Sequence, residues 1–173
     1  MRLVQSLVLA VLLAGCALQP RPDTRADFPW DAPPERLRAR HGDAPVIATA
    51  ERQVFHDRFA GLPATIVYRY TDGGLTEVVV FNRSGHDDRT RYIDDFHRVS
   101  QRLRERYGQP GLEEMRWRNR LFAERPERWG DAISAGHLTY LARWRTPDAR
   151  ILMALRGQRY QVIHELVFRP PGG

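Results

Sequence analysis

The chain has 173 residues, 42% of them hydrophobic and 28% charged, a size and balance that suit one soluble domain and exclude both a multidomain protein and a chain disordered throughout. Its 27 basic residues against 21 acidic ones leave a net charge of +6, which favours anionic partners such as lipid head groups, lipopolysaccharide phosphates or an acidic protein surface. Every basic residue is Arg, and Cys16 is the one cysteine, so no intramolecular disulfide can form.

At the N-terminus Arg2 precedes an apolar run over 3–13, broken by Gln5 and Ser6 and followed by the small residues Ala14 and Gly15. This is the layout of a signal peptide, and the run is shorter than the roughly 20 residues a bilayer-spanning helix needs. Leu13-Ala14-Gly15-Cys16 resembles the lipobox of bacterial lipoproteins. That resemblance implies removal of residues 1–15, a diacylglyceryl thioether on Cys16 and palmitate or a similar acyl chain on the new amine. Several acyl chains together hold a protein firmly on a membrane. Ala17, in place of an Asp, points by the sorting rule of such lipoproteins to the periplasmic side of the outer membrane. The export signal disfavours nucleic acid as a partner. Residues 16–27, with two Pro and no apolar periodicity, read as a tether, 170–173 as a frayed tail, and 28–169 as one folded domain.

Within that domain, Arg36-Leu37-Arg38-Ala39-Arg40-His41-Gly42 reads as the end of a first helix, closed by a left-handed glycine and by Pro45 beyond it. β-branched and aromatic alternation then predicts strands over 53–59, 64–71 and 75–82, the last two joined by a turn at Gly73-Gly74. A long helix follows over 90–107, capped by Asp87, Asp88 or Thr90, with Tyr92, Phe96, Val99, Leu103 and Tyr107 on one stripe. Asp94 stands four residues before Arg98, the favourable order for a helical ion pair. Further strands are predicted over 113–118, 138–145, 150–156 and 160–169. Short turns between neighbours make the pairing antiparallel. The expected fold is α+β, an antiparallel sheet of six to seven strands with two helices on one face.

Two internal matches predict a duplication. Arg36–Gly42 matches Arg102-Leu103-Arg104-Glu105-Arg106-Tyr107-Gly108 at five of seven positions. Tyr68-Arg69-Tyr70-Thr71-Asp72-Gly73-Gly74 parallels Arg143-Trp144-Arg145-Thr146-Pro147-Asp148-Ala149, aromatic and basic residues alternating into a turn.

Taking the more aromatic parity of each strand as inward collects Ile66, Tyr68, Tyr70, Val79, Phe81, Leu138, Tyr140, Trp144, Ile151, Met153, Leu155, Val162, Leu166 and Phe168 into a core. The other parity still carries Val67, Val78, Val80, Leu141, Leu152, Ile163 and Val167 among Arg69, Arg143, Arg145, Arg150 and Arg159. Open sheets rarely leave so much apolar surface in water. Either that face is covered from within, by sheet closure or by the segment 121–133, or it binds a partner through Arg69, Val78, Leu141, Arg143, Arg145 and Ile163.

No catalytic constellation is predicted. The six His show no metal spacing, and Ser84-Gly85-His86-Asp87-Asp88 reads as a helix-capping loop, because a nucleophile and its base must converge from separate segments. Arg116-Trp117-Arg118 reads as a core Trp between solvated Arg. No metal and no cofactor is expected.

A lipobox followed twice by a helix ending in Arg-His-Gly-Asp-Ala-Pro or Arg-Tyr-Gly-Gln-Pro and then by strands resembles the SmpA/OmlA-type small periplasmic lipoproteins and the β-lactamase-inhibitor-protein-like domains. The resemblance implies a protein-binding module of the envelope with no catalytic residues, and it transfers no functional residue beyond Cys16. The second expectation is an Arg-rich module that binds lipopolysaccharide or anionic phospholipid.

Overall fold

The structure, a computed structural model, describes residues 30–41 and 44–172. The signal peptide, Cys16, the tether and Gly42 lie outside the described residues.

The elements run α1 (Pro34–Arg38), β1 (Ile47–Ala48), β2 (Arg52–Phe59), β3 (Leu62–Thr71), β4 (Gly74–Asn82), α2 (Arg91–Tyr107), β5 (Leu112–Trp117), a 3-10 turn (Pro126–Arg128), α3 (Trp129–Ser134), β6 (Leu138–Arg145), β7 (Arg150–Gln158) and β8 (Gln161–Arg169). The eight strands form one antiparallel sheet in the order β1-β2-β3-β4-β8-β7-β6-β5. The α+β class and antiparallel pairing are as expected. The sheet exceeds the expected six to seven strands by the two-residue β1, and α3 adds a third helix too short to leave a periodic signal. No helix among the described residues is long and apolar enough to cross a membrane.

Pro34 at the first helical position starts α1 with a ready-made φ. Asp88 starts α2: its Oδ1 accepts the Thr90 N–H at 2.8 Å and its carbonyl accepts the Arg91 N–H. Gly108 ends α2 at φ 77°, a conformation open to Gly at little cost. Asp94 and Arg98 do not pair. Ile93, Phe96, Val99 and Leu103 of α2, Leu37 of α1 and Ala132 and Ile133 of α3 pack against one face of the sheet. That face presents Phe55, Ile66, Tyr68, Val78, Val80, Tyr140, Trp144, Met153, Leu166 and Phe168. Trp144 also donates its indole N–H to the Gly108 carbonyl at 2.9 Å, tying β6 to the end of α2.

Two expectations about the faces fail. In β4 the inward residues are Val78 and Val80, and Val79 and Phe81 point the other way. The cause is a bulge: Tyr70 pairs with Leu75 but Arg69 pairs with Glu77, so Thr76 is an extra residue that shifts the alternation by one. Val78, 0% exposed, is therefore core and no partner-binding residue. Nor is the second face covered by 121–133. Phe122, Trp129, Ala132 and Ile133 pack into the helix-side core, and Trp117 meets Trp129 edge-on at 6.0 Å in that same layer. The sheet does not close either, since β1 and β5 stand at opposite edges.

The strand order reads the same from both edges inward, a helix and four meandering strands on each side of the β4–β8 seam. In the helix-end match of Arg36–Gly42 with Arg102–Gly108, each segment begins in the last part of a helix, but α1 stops at Arg38 while α2 continues to Tyr107. Tyr68–Gly74 spans the β3–β4 turn, whose counterpart is the β7–β8 turn, whereas Arg143–Ala149 lies between β6 and β7. This second match does not follow the mirrored strand order.

Candidate binding face

The register places the second-face residues in rows that run across the strands. One row is aliphatic: Ile47 pairs with Val54, Val54 with Val67, Val67 with Val79, Val79 with Val167, and Val167 with Leu152. β-branched side chains pack well side by side on a pleated sheet. Val54, Val67 and Val79 form a small cluster with Phe81 and Val167 that is separate from the main core and contains no helix residue. Val54, Val67 and Val79 are buried, with Val79 only 4% exposed, whereas Ile47 at 40% and Leu152 at 39% leave both ends of the row open. Leu152 pairs onward with Arg143 of β6, and Arg143 with Leu112 of β5.

The next row towards the end bearing the β3–β4 and β6–β7 turns is basic. Arg52 pairs with Arg69, Arg69 with Glu77, Arg169 with Arg150, and Arg150 with Arg145. Glu77 joins the two halves of this row, 3.4 Å from Arg69 and 2.8 Å from Arg169. Arg150 donates to the Pro170 carbonyl at 3.0 Å. On the other side of the aliphatic row, Phe81, Glu165, Ala154 and Leu141 follow one another, then Ile163 beside Arg156, whose guanidinium bonds Glu165 at 3.0 Å.

Of the residues expected to bind a partner, Arg69, Leu141, Arg143, Arg145 and Ile163 share this face, and Val78 does not. Arg159 is not on the rim, because it sits in the β7–β8 turn at φ 50°. Alternation alone missed Val54, Val79, Arg52 and Arg169. A row becomes visible only once the register is known, although Arg52 and Arg169 do keep the parity of their strands.

The loop 83–90 holds a second polar cluster that sequence adjacency concealed. His86 Nε2 lies 2.7 Å from Asp95 Oδ2, a carboxylate from α2. Asn82 donates to Asp95 at 3.3 Å and to His164 Nδ1 at 3.2 Å, and its Oδ1 accepts the Ser84 N–H at 2.7 Å. Burial pushes the Asp95 carboxyl up, but hydrogen bonds from His86, Ser84 and Asn82 outweigh it and hold the carboxyl below the usual range. Burial drives His164 down to about 4 against the opposing pull of the Asp95 charge. Apart from His164 Nε2 these groups are taken up by one another, so the cluster fastens the loop to α2 and β8. Among the described residues no three His, Cys, Asp or Glu side chains gather so as to hold a metal ion.

No protein-family model, no curated protein and no solved structure matches the chain.

Proposed function

We propose that this protein is a lipoprotein of the bacterial envelope, anchored through acylated Cys16 on the periplasmic side of the outer membrane, whose open sheet face engages another envelope protein. The observation that carries the reading is the aliphatic row from Ile47 to Leu152, whose two end residues are 40% and 39% exposed and whose middle packs with no helix residue. An aliphatic centre bordered by Arg143 and Arg156 has the make-up of a protein interface, where apolar anchors carry the affinity and Arg is enriched. The mirrored strand order supports the proposed duplication and fits the tandem helix-and-sheet lipoproteins that the sequence pattern resembles. No catalytic step is assigned to the polar cluster.

The test is photo-crosslinking in living cells from probes at Ile47, Leu141 and Ile163 of the full chain. A discrete protein adduct is expected from these positions and none from a probe at Gln101, on the exposed face of α2. Leu152→Glu should abolish the adduct while the protein keeps its fold. Cross-links formed only within the chain would overturn the reading. Labelling with palmitate, lost in Cys16→Ala, tests the anchor independently.

A further inference from the structure

We propose that the row Arg52, Arg69, Arg169, Arg150 and Arg145 seats the domain on the anionic head groups of the membrane that holds its anchor. This rests on the lipidation of Cys16 proposed above and adds which end of the domain meets the bilayer. The row is costly to the protein by itself. Arg52 faces Arg69, Arg169 faces Arg150, and Arg150 faces Arg145 directly across the ladder, and like charges so placed repel. One carboxylate, Glu77, answers five guanidinium groups, and it is already engaged by Arg69 and Arg169. Arg52 and Arg145 reach no carboxylate among the described residues. A surface that repels itself in this way is relieved by an anionic layer of matching extent. At about 4.8 Å between strands the row is roughly 24 Å wide, broad enough to lie across several phosphates. Guanidinium groups bind phosphate oxygens two at a time.

A membrane is favoured over an acidic protein because of where the chain enters the fold. Trp30, the first described residue, donates its indole N–H to the Asp148 carbonyl at 2.8 Å, in the β6–β7 turn between Arg145 and Arg150. Fourteen residues back from there is Cys16, a span of at most about 50 Å when drawn straight. The opposite end of the sheet stands about 30 Å further away. The tether thus delivers the Arg row to the bilayer first, where a polybasic surface is attracted to anionic lipid. The aliphatic row lies one step further along the strands, roughly 7 Å from the basic row, and its exposed ends at Ile47 and Leu152 stay available to a protein partner.

The experiment uses the mature lipidated chain in vesicles of phosphatidylcholine, with or without phosphatidylglycerol. With Cys16 acylated, a cysteine introduced by Thr71→Cys, at the Arg-row end, or by Gln161→Cys, at the far end, is the one thiol free to take a fluorophore. A nitroxide on the lipid head groups reports proximity. In phosphatidylglycerol vesicles the label at position 71 should be quenched about twofold more than the label at 161, and the difference should vanish in neutral vesicles or high salt. R145E/R150E should remove it, and R145Q/R150Q should weaken it with the melting temperature unchanged or raised. Equal quenching at both ends, or a difference that survives R145E/R150E, overturns the proposal while the anchor stands. Failure to float with neutral vesicles overturns the anchor and the proposal together. If R145E/R150E removed the protein adduct from Leu141 but left the quenching as it was, the row would belong to an acidic protein.

Discussion

Between pH 7 and pH 4 the domain is expected to lose about 3 kcal/mol of folding free energy through His164. The imidazole is 2% exposed and packs against Phe96 at a ring distance of 5.7 Å. Its Nδ1 accepts from Asn82, so the ring is neutral with the proton on Nε2, which has no partner. Burial holds its pKa in the folded protein at about 4, below the ordinary 6.5. The unfolded chain therefore takes up a proton as pH falls below 6.5 and the folded chain does not until about 4. The stabilisation is complete above 6.5 and drains away across that window. Asp95, held low by His86, Ser84 and Asn82, contributes in the same sense at still lower pH. Urea unfolding at intervals across the window checks this: the midpoint should fall steeply in the wild type and stay nearly level in His164→Leu. An equally steep fall in the variant would show that other groups govern acid unfolding.

A comparable loss is expected from adding one methyl group. Gly157 of β7 lies beneath the last turn of α3, and a Cβ there would stand 1.9 Å from the Ile133 carbonyl oxygen and 2.6 Å from that of Ser134. Both are backbone atoms, and neither can swing aside as a side-chain tip would. The Ile133 oxygen accepts the Gly136 N–H at 2.8 Å, and Ser134 Oγ donates to the Tyr160 carbonyl at 2.7 Å. Lifting α3 to admit the methyl would break these bonds and open the contact of Ile133 with the core. Gly157→Ala should cost about 3 kcal/mol, a fall of roughly 10 °C in the melting temperature. Gly85→Ala, where nothing lies within 4 Å of the new atom, should leave the transition in place. Similar melting of the two variants would mean that α3 does not rest on β7 as described.

Much of the sheet was legible because its strands alternate cleanly. Leu138–Arg145 was delimited to the residue, and the other long strands to within two. β1 was not, since Ile47 and Ala48 are too few to show a period. The stripe of Phe96, Val99 and Leu103 exposed α2 by its spacing, whereas α3 is under two turns long and borrows its stability from Ile133 and Ala132 in the core. The face of β4 was misread for a definite reason. In a run of three valines before a phenylalanine the pattern carries no parity, and the bulge at Thr76 reverses the one that Leu75 begins. Five of the six expected binding residues share the second face, but their neighbours Arg52 and Arg169 became conspicuous only through pairing. The His86–Asp95 contact could not be inferred from adjacency, because α2 must turn back over β4 before the two side chains meet.

The placement of β8 sets the order in which the molecule can be completed. The last strand of the chain lies at the centre of the sheet and pairs with β4 through Val78–Phe81 on one side and with β7 along its whole length on the other. Until β8 emerges from the ribosome or a translocation channel, β4 ends the first half with an unpaired apolar edge. Such an edge invites pairing with another chain. Contacts across the seam join residues nearly ninety positions apart, the kind of closure that slows folding. A nascent chain therefore stays open and threadable until β8 is made, and a deletion that removed β8 would leave two half-sheets with nothing between them.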